Sequence, residues 1–133
     1  MSNLDLVRAI YDRWERGDFS SVDWADPELE YEIVDGPAPG RWKGIAGLRE
    51  GGLGFMSSWQ DLHVAAEETR ELDATRILVL TRLRGRGKTS GVELGEVQAR
   101  GADILDIRDG KVVRFVLYHD RERALDELDL RSP

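Results

Sequence analysis

Three side chains in this sequence combine an ionisable group with a place where a proton could be moved: Asp103, His119 and Glu32. Asp103 alternates in line with Leu105 and Ile107, and His119 in line with Phe115 and Leu117, so a strand would carry each on its apolar side. A charge on such a face is costly unless it is paired, hydrogen-bonded or neutralised. One chemical reading is therefore an Asp103 of raised pKa that donates a hydrogen bond, with His119 as a general base. The structural alternatives are a bulge at Gly101 that turns Asp103 out to water, and a strand-end His119 bonded to Asp120 or solvent. Glu32 shares a face with Glu30, a pattern shown by solvated carboxylates as well as by a catalytic base.

The element that positions the first two runs from Gly101 to His119. Asp109-Gly110 between two apolar alternations predicts a tight hairpin, because both residue types tolerate positive φ. Before it, residues 3–16 predict an amphipathic helix capped by Ser2, with Val7, Ile10, Tyr11 and Trp14 as one stripe. Gly17 ends that helix. Phe19–Trp24 reads as a short second helix closed by Asp26-Pro27, and Leu29–Val34 as a strand with Leu29, Tyr31 and Ile33 on one face. Residues 35–44, rich in proline and glycine, read as a loop. Ile45–Trp59 predicts a third helix, weakened by Gly47, Gly51, Gly52 and Gly54 at about 1 kcal/mol each. Strands are expected over 62–70, 75–85, 91–108 and 111–119, with 85–91 connecting the middle pair. A last helix spans 121–128.

Trp14, Trp42, Phe55, Trp59 and Phe115, with Tyr11 and Leu117, are the residues suited to line a pocket for a flat apolar or aromatic ligand. Trp42, in its glycine-flanked loop, is the expected lid. As a bland alternative, most of them simply fill the core. His63, among acidic neighbours, reads as surface. Arg82, Arg84, Arg86 and Lys88 read as a solvated strand face.

Composition narrows the classes. The 133 residues make one domain, 1–133. With no cysteine and only two histidines, thiolate chemistry, disulfides and multi-histidine metal sites are excluded. A net charge of −7 argues against nucleic acid and anionic membranes as partners. The N-terminus lacks a signal-peptide pattern and no apolar run reaches spanning length, so the expectation is a cytoplasmic protein. Ile77–Leu80, Val112-Val113 and Phe115–Leu117 are apolar on both sides, where a sheet with one wet face should alternate. That predicts a second cover for the sheet, with a homodimer through its outer face favoured over the chain's own loops.

The order of elements, with the stretches WERGDFSSVD, DPELEYE, WKGIAGL, RGRGKTSGVEL and IRDGKVVRFVLYHDRERALDEL, resembles the SnoaL-like (polyketide cyclase-like) branch of the nuclear transport factor 2-like superfamily. The resemblance covers nearly the whole chain. It implies an α+β cone: a curved, mostly antiparallel sheet wrapped around the N-terminal, short second and third helices. It also implies a small-molecule enzyme of the isomerase, cyclase or dehydratase kind needing no cofactor, or a non-catalytic ligand-binding or dimerisation domain of the same shape. Ketosteroid isomerases of this fold keep a strand carboxylic acid neutral in an apolar wall, and that position falls on Asp103. Their general-base carboxylate falls near Glu32. Their first-helix tyrosine falls on Ile10, with Tyr11 one residue on and about 100° around the helix. The aspartate base of the SnoaL-type cyclases falls on Leu117, so His119 could replace it in role but not in geometry.

Overall fold

The computed structural model describes residues 2–36, 38–56, 59–89 and 92–129, with backbone only for 87–89 and 92–97. Helix α1 (Asn3–Glu15) starts at a capping box in which Ser2 and Asp5 satisfy each other's backbone. It ends as a Schellman turn, Asp18 N donating to the Arg13 carbonyl and Gly17 N to that of Trp14, with Gly17 at φ 82°. Strands β1 (Ala25–Ile33) and β2 (Gly40–Lys43), helix α2 (Gly44–Met56), strands β3 (Trp59–Glu71), β4 (Arg76–Thr89), β5 (Val92–Arg108) and β6 (Lys111–Tyr118), and helix α3 (Arg121–Glu127) follow. The sheet order is β2-β1-β6-β5-β4-β3. Among the described residues only the β1–β6 pair is parallel. The architecture is the α+β fold with a curved sheet that was expected, and the sheet is unclosed. No described helix is long and apolar enough to cross a membrane.

The hairpin forms at Asp109 (φ 51°) and Gly110 (φ 75°), the two positive dihedrals of a type I′ turn. Four local expectations are corrected. Phe19–Trp24 is not helical: Asp18 accepts from the backbone and hydroxyl of Ser20, and the Ser21 hydroxyl bonds Asp23, local bonds that compete with helix formation. Residues 40–43 are not loop but the edge strand β2, paired with β1 from Glu30↔Lys43 to Ile33↔Gly40. Helix α2 stops at Met56 and Trp59 opens β3 instead. Strand β4 runs past its expected end at residue 85 to Thr89, while β5 starts at Val92, one residue after its expected start; residues 90–91 lie outside the described residues.

Two apolar clusters lie on the two sides of the sheet. The inner one packs Val7, Ile10, Trp24, Leu29, Val79, Leu105 and Phe115 between sheet and helices. The outer one joins Leu78, Leu80, Ala102, Val116 and Tyr118 to Ala124 of α3, with Leu125 and Leu128 beside them. The second cover is thus supplied by the chain's own C-terminal helix. This corrects the premise of the homodimer expectation, since those outer residues are already buried within one chain. Arg82, Arg84 and Arg86 are exposed as expected. His63 is partly buried, not surface: its Nδ1 donates to the Glu15 carbonyl at 2.8 Å, capping α1.

Candidate active site

Asp103 sits opposite Val79 on β4 and Leu117 on β6. The ladders shift register only at Arg86/Lys88 and Asp106/Ile107, so no bulge intervenes at Gly101 and the carboxyl stays on the inner face. Gly101 has a different task. A Cβ there would lie 2.7 Å from the Tyr118 carbonyl and 3.2 Å from Thr81 Oγ1, so glycine permits a close approach of β6 just ahead of the acid. Asp103 is 4 % exposed. Burial raises its pKa to about 7, against the partial opposing effect of a short hydrogen bond from the Tyr11 hydroxyl. Near neutral pH the carboxyl therefore exists in both forms, a donor when protonated and a base when ionised.

Tyr11 corrects the position implied by the resemblance. The residue that reaches the acid from α1 is Tyr11, not Ile10, although both are buried. Burial, followed by the Asp103 charge, holds the Tyr11 phenol well above its ordinary pKa. Tyr31 behaves alike on β1, its pKa raised by burial and then by the Asp103 charge. No described residue hydrogen-bonds to the Tyr31 hydroxyl. Both phenols stay protonated at any physiological pH, and Tyr31 lines the cavity with its hydroxyl available to a guest.

That cavity measures about 340 Å³ and lies between the inner sheet face and α2. Its walls are aromatic. Trp14 contacts Phe19, Trp24 and Phe115 at centroid distances of 5.8, 5.9 and 5.9 Å, and Tyr31 meets Phe115 edge-on at 5.5 Å. Of the proposed liners, Trp14, Phe55, Trp59, Phe115 and Leu117 all line it, as do Asp103 and His119. Tyr11 stands behind Asp103 and is not a lining residue. Trp42 is corrected from lid to core. Partly buried against the core, its ring lies tilted against Tyr31 at 5.6 Å, and Cβ atoms at Gly47 or Gly51 would come within 2.9 and 2.8 Å of its side chain.

Glu32 is likewise placed elsewhere. On β1 it points away from Tyr31, and its carboxylate pairs with Arg41 (3.3 Å) and Arg114 (3.5 Å) outside the cavity. Strand alternation makes this unavoidable once Tyr31 faces inward. His119 is partly buried at the edge of the cavity, 5.3 Å from Phe55 between ring centres. Its backbone N–H donates to Asp35 at 2.6 Å, and Gly36 (φ 86°) lets the loop lie against the imidazole, since a Cβ there would be 2.4 Å from Cδ2. Burial lowers the His119 pKa, partly offset by the nearby Asp35. The imidazole is therefore neutral at pH 7, the form a base needs. Among the described residues no group hydrogen-bonds to its ring.

Sequence reasoning passed over several polar liners, Tyr31 and Thr81 among them. Tyr31 was legible as an inward residue between Leu29 and Ile33 but was not weighed for chemistry. Thr81, 2 % exposed and lining the cavity, stood in the alternation opposite the exposed arginines.

Comparison with known proteins agrees with this fold. The chain resembles the protein TerC co-crystallised with polyporic acid (21 % identity, TM-score 0.72, 95 % of this chain and 96 % of that one). It also resembles an NTF2-like protein of unknown function from Burkholderia pseudomallei K96243 (19 %, 0.72, 95 % and 97 %). A candidate SnoaL-like polyketide cyclase from Jannaschia sp. CCS1 is similar at 16 % identity and TM-score 0.71, over 98 % and 93 % of the two chains. No curated protein matches. The model of the SnoaL-like domain matches residues 7–115, from the first turns of the helix that carries Tyr11 to the strand opposite Asp103, and the chain belongs to that family.

Proposed function

We propose that this protein is a cofactor-independent acid–base enzyme acting on a flat, apolar carbonyl compound, in a reaction of the isomerase, cyclase or dehydratase kind. The observation that carries the reading is the Asp103–Tyr11 pair buried in an apolar wall of a cavity large enough for a small ligand. A carboxyl with pKa about 7 is poised at the operating pH, where proton transfer to and from a positioned group is most effective. In its neutral form Asp103 donates to a substrate carbonyl oxygen, together with the Tyr31 phenol, and stabilises the enolate that forms when a proton leaves the adjacent carbon. Neutral His119 at the cavity edge takes that proton and can return it elsewhere on the same skeleton. Tyr11 orients Asp103 and sets how readily it ionises. Co-crystallisation of the TerC relative with polyporic acid supports a small-molecule cavity in this fold.

Exchange of the α-protons of 2-tetralone, a neutral enolisable bicyclic ketone, in D₂O tests the reading. The protein is expected to accelerate exchange, and Asp103→Leu to reduce the acceleration by about 10²- to 10⁴-fold. If ketone binds but exchange stays at the buffer rate, the protein is a non-catalytic ligand-binding domain. If Asp103→Leu only stabilises the fold and leaves exchange and binding intact, Asp103 has no functional role.

A further inference from the structure

On the inner sheet face Asp103 lies between two hydroxyl residues. Strand pairing joins Leu105, Phe115 and Tyr31 into one row across β5, β6 and β1, and Thr81 and Gly101 into another across β4 and β5. Asp103 occupies the row between them, and successive rows on one face are about 7 Å apart. Tyr31 and Thr81 therefore flank the acid on opposite sides. All three line the cavity, and all are buried. The Thr81 hydroxyl has no work within the protein: no described residue hydrogen-bonds to its Oγ1. A buried hydroxyl left in that state costs stability, so it is open to a partner that arrives from the cavity. The backbone beneath it is firmly held. Arg121 donates to the Thr81 carbonyl at 2.6 Å and to the Gly101 carbonyl at 3.1 Å, bracing both strands with one guanidinium. Gly101 also lines the cavity without a side chain, and Thr81 Oγ1 stands 3.2 Å from the point that a Cβ there would occupy. The hydroxyl thus overhangs a recess in the cavity floor, one row from the acid.

We propose that Thr81 is a second anchor, which takes a hydroxyl or carbonyl oxygen of the ligand over Gly101 while Asp103 and Tyr31 hold the ketone. The ligand class is then a flat ketone that carries a second, uncharged oxygen function on its far ring, about 7 Å from the first. This rests on the cavity being a site for a carbonyl compound, as above, and adds a specificity-determining residue and the ligand's second functional group. A threonine hydroxyl both donates and accepts, so it suits a phenol or a carbonyl equally.

Calorimetric titration of three probe ketones tests the assignment: 2-tetralone and its 6-hydroxy and 7-hydroxy derivatives. At least one derivative should bind about two- to tenfold more tightly than the parent ketone, the effect of one added hydrogen bond. In Thr81→Val, which removes the hydroxyl and keeps the shape, that ratio should fall to about one. Thr81→Ser should keep the gain and Thr81→Ala lose it, the same comparison on a smaller side chain. Thr81→Val should also melt no lower than the unmodified protein, since it deletes a buried hydroxyl that has no partner. A melting temperature clearly lowered by that substitution would mean that the hydroxyl is bonded within the fold, and overturns the proposal. So does a gain that survives loss of the hydroxyl, which another cavity group would then supply. Binding of all three ketones with equal affinity rejects the second anchor alone. Failure of every probe to bind rejects the cavity reading as well.

Discussion

Strands β4, β5 and β6 are apolar on both sides, and the two sides meet different fates. Outward, Leu78, Ala102 and Val116 close under Ala124 of α3 into a filled cluster. Inward, Val79, Leu105 and Phe115 face α1 and α2, but the layer is not filled, and about 340 Å³ stays open around Asp103. Equal hydrophobicity therefore does not decide where a hollow lies. What decides it is the cover: α3 is short and rests directly on the strands, whereas α2 leans toward β1 and β2, drawn in by glycines that admit Trp42. The one acid with an apolar setting survives on the hollow side, where a ligand can meet it.

Truncation should separate the faces most strongly. Leu78→Ala, fully buried on the filled side, is expected to cost about 2–5 kcal/mol. Leu117→Ala, a partly exposed cavity liner, should cost less than half of that, since its neighbours already face open space. Denaturant titration measures both, and equal losses would mean that the inner layer is as tightly packed as the outer.

The acid should make stability depend on pH. Asp103 has a folded pKa of about 7 against 3.8, raised rather than lowered. Its contribution is fully present below about pH 4, declines as pH rises, and is lost above about pH 7, a change of roughly 4 kcal/mol. Asp103→Asn should remove that slope between pH 4 and 7, seen by thermal melts across the range. An unchanged slope would place the proton on another group.

The two faces of α2 offer a finer contrast. Gly51→Ala pushes a Cβ to 2.8 Å from Trp42 and Tyr31 and should destabilise by about 1–3 kcal/mol. Gly52→Ala meets nothing within 4 Å and should stabilise by up to about 1 kcal/mol. Because Gly52 lines the cavity, slower probe association in that variant would show that a yielding wall admits the ligand. Smallest of all is His119→Gln. The His119 pKa is lowered, so its contribution is present above about pH 6.5 and is lost as pH falls through the lowered value. The variant should be slightly less sensitive to mild acid than the parent.

Much of the site's scaffold was legible along the chain. Asp109-Gly110 announced its turn because the conformation it needs is written in those two residues. The period of two put Asp103, Leu117 and His119 on one face for the same local reason. Phe19–Trp24 failed as a helix because its serines and aspartates bond to one another locally. Gly40–Lys43 was missed as a strand because an edge strand takes its identity from a partner, here β1, and not from its own composition.

The sequence by itself determined the hairpin, the inward line of Asp103, the amphipathic first helix and the absence of thiol chemistry, since each depends only on residue type and spacing within a few positions. The tertiary structure decided that Tyr11 and not Ile10 meets Asp103, that Trp42 is core, that Glu32 faces two arginines, and that α3 covers the outer face. These are questions of how one element is rotated and seated against another. That choice is made by packing between residues far apart in the chain, as between Tyr11 and Asp103, which no local pattern encodes.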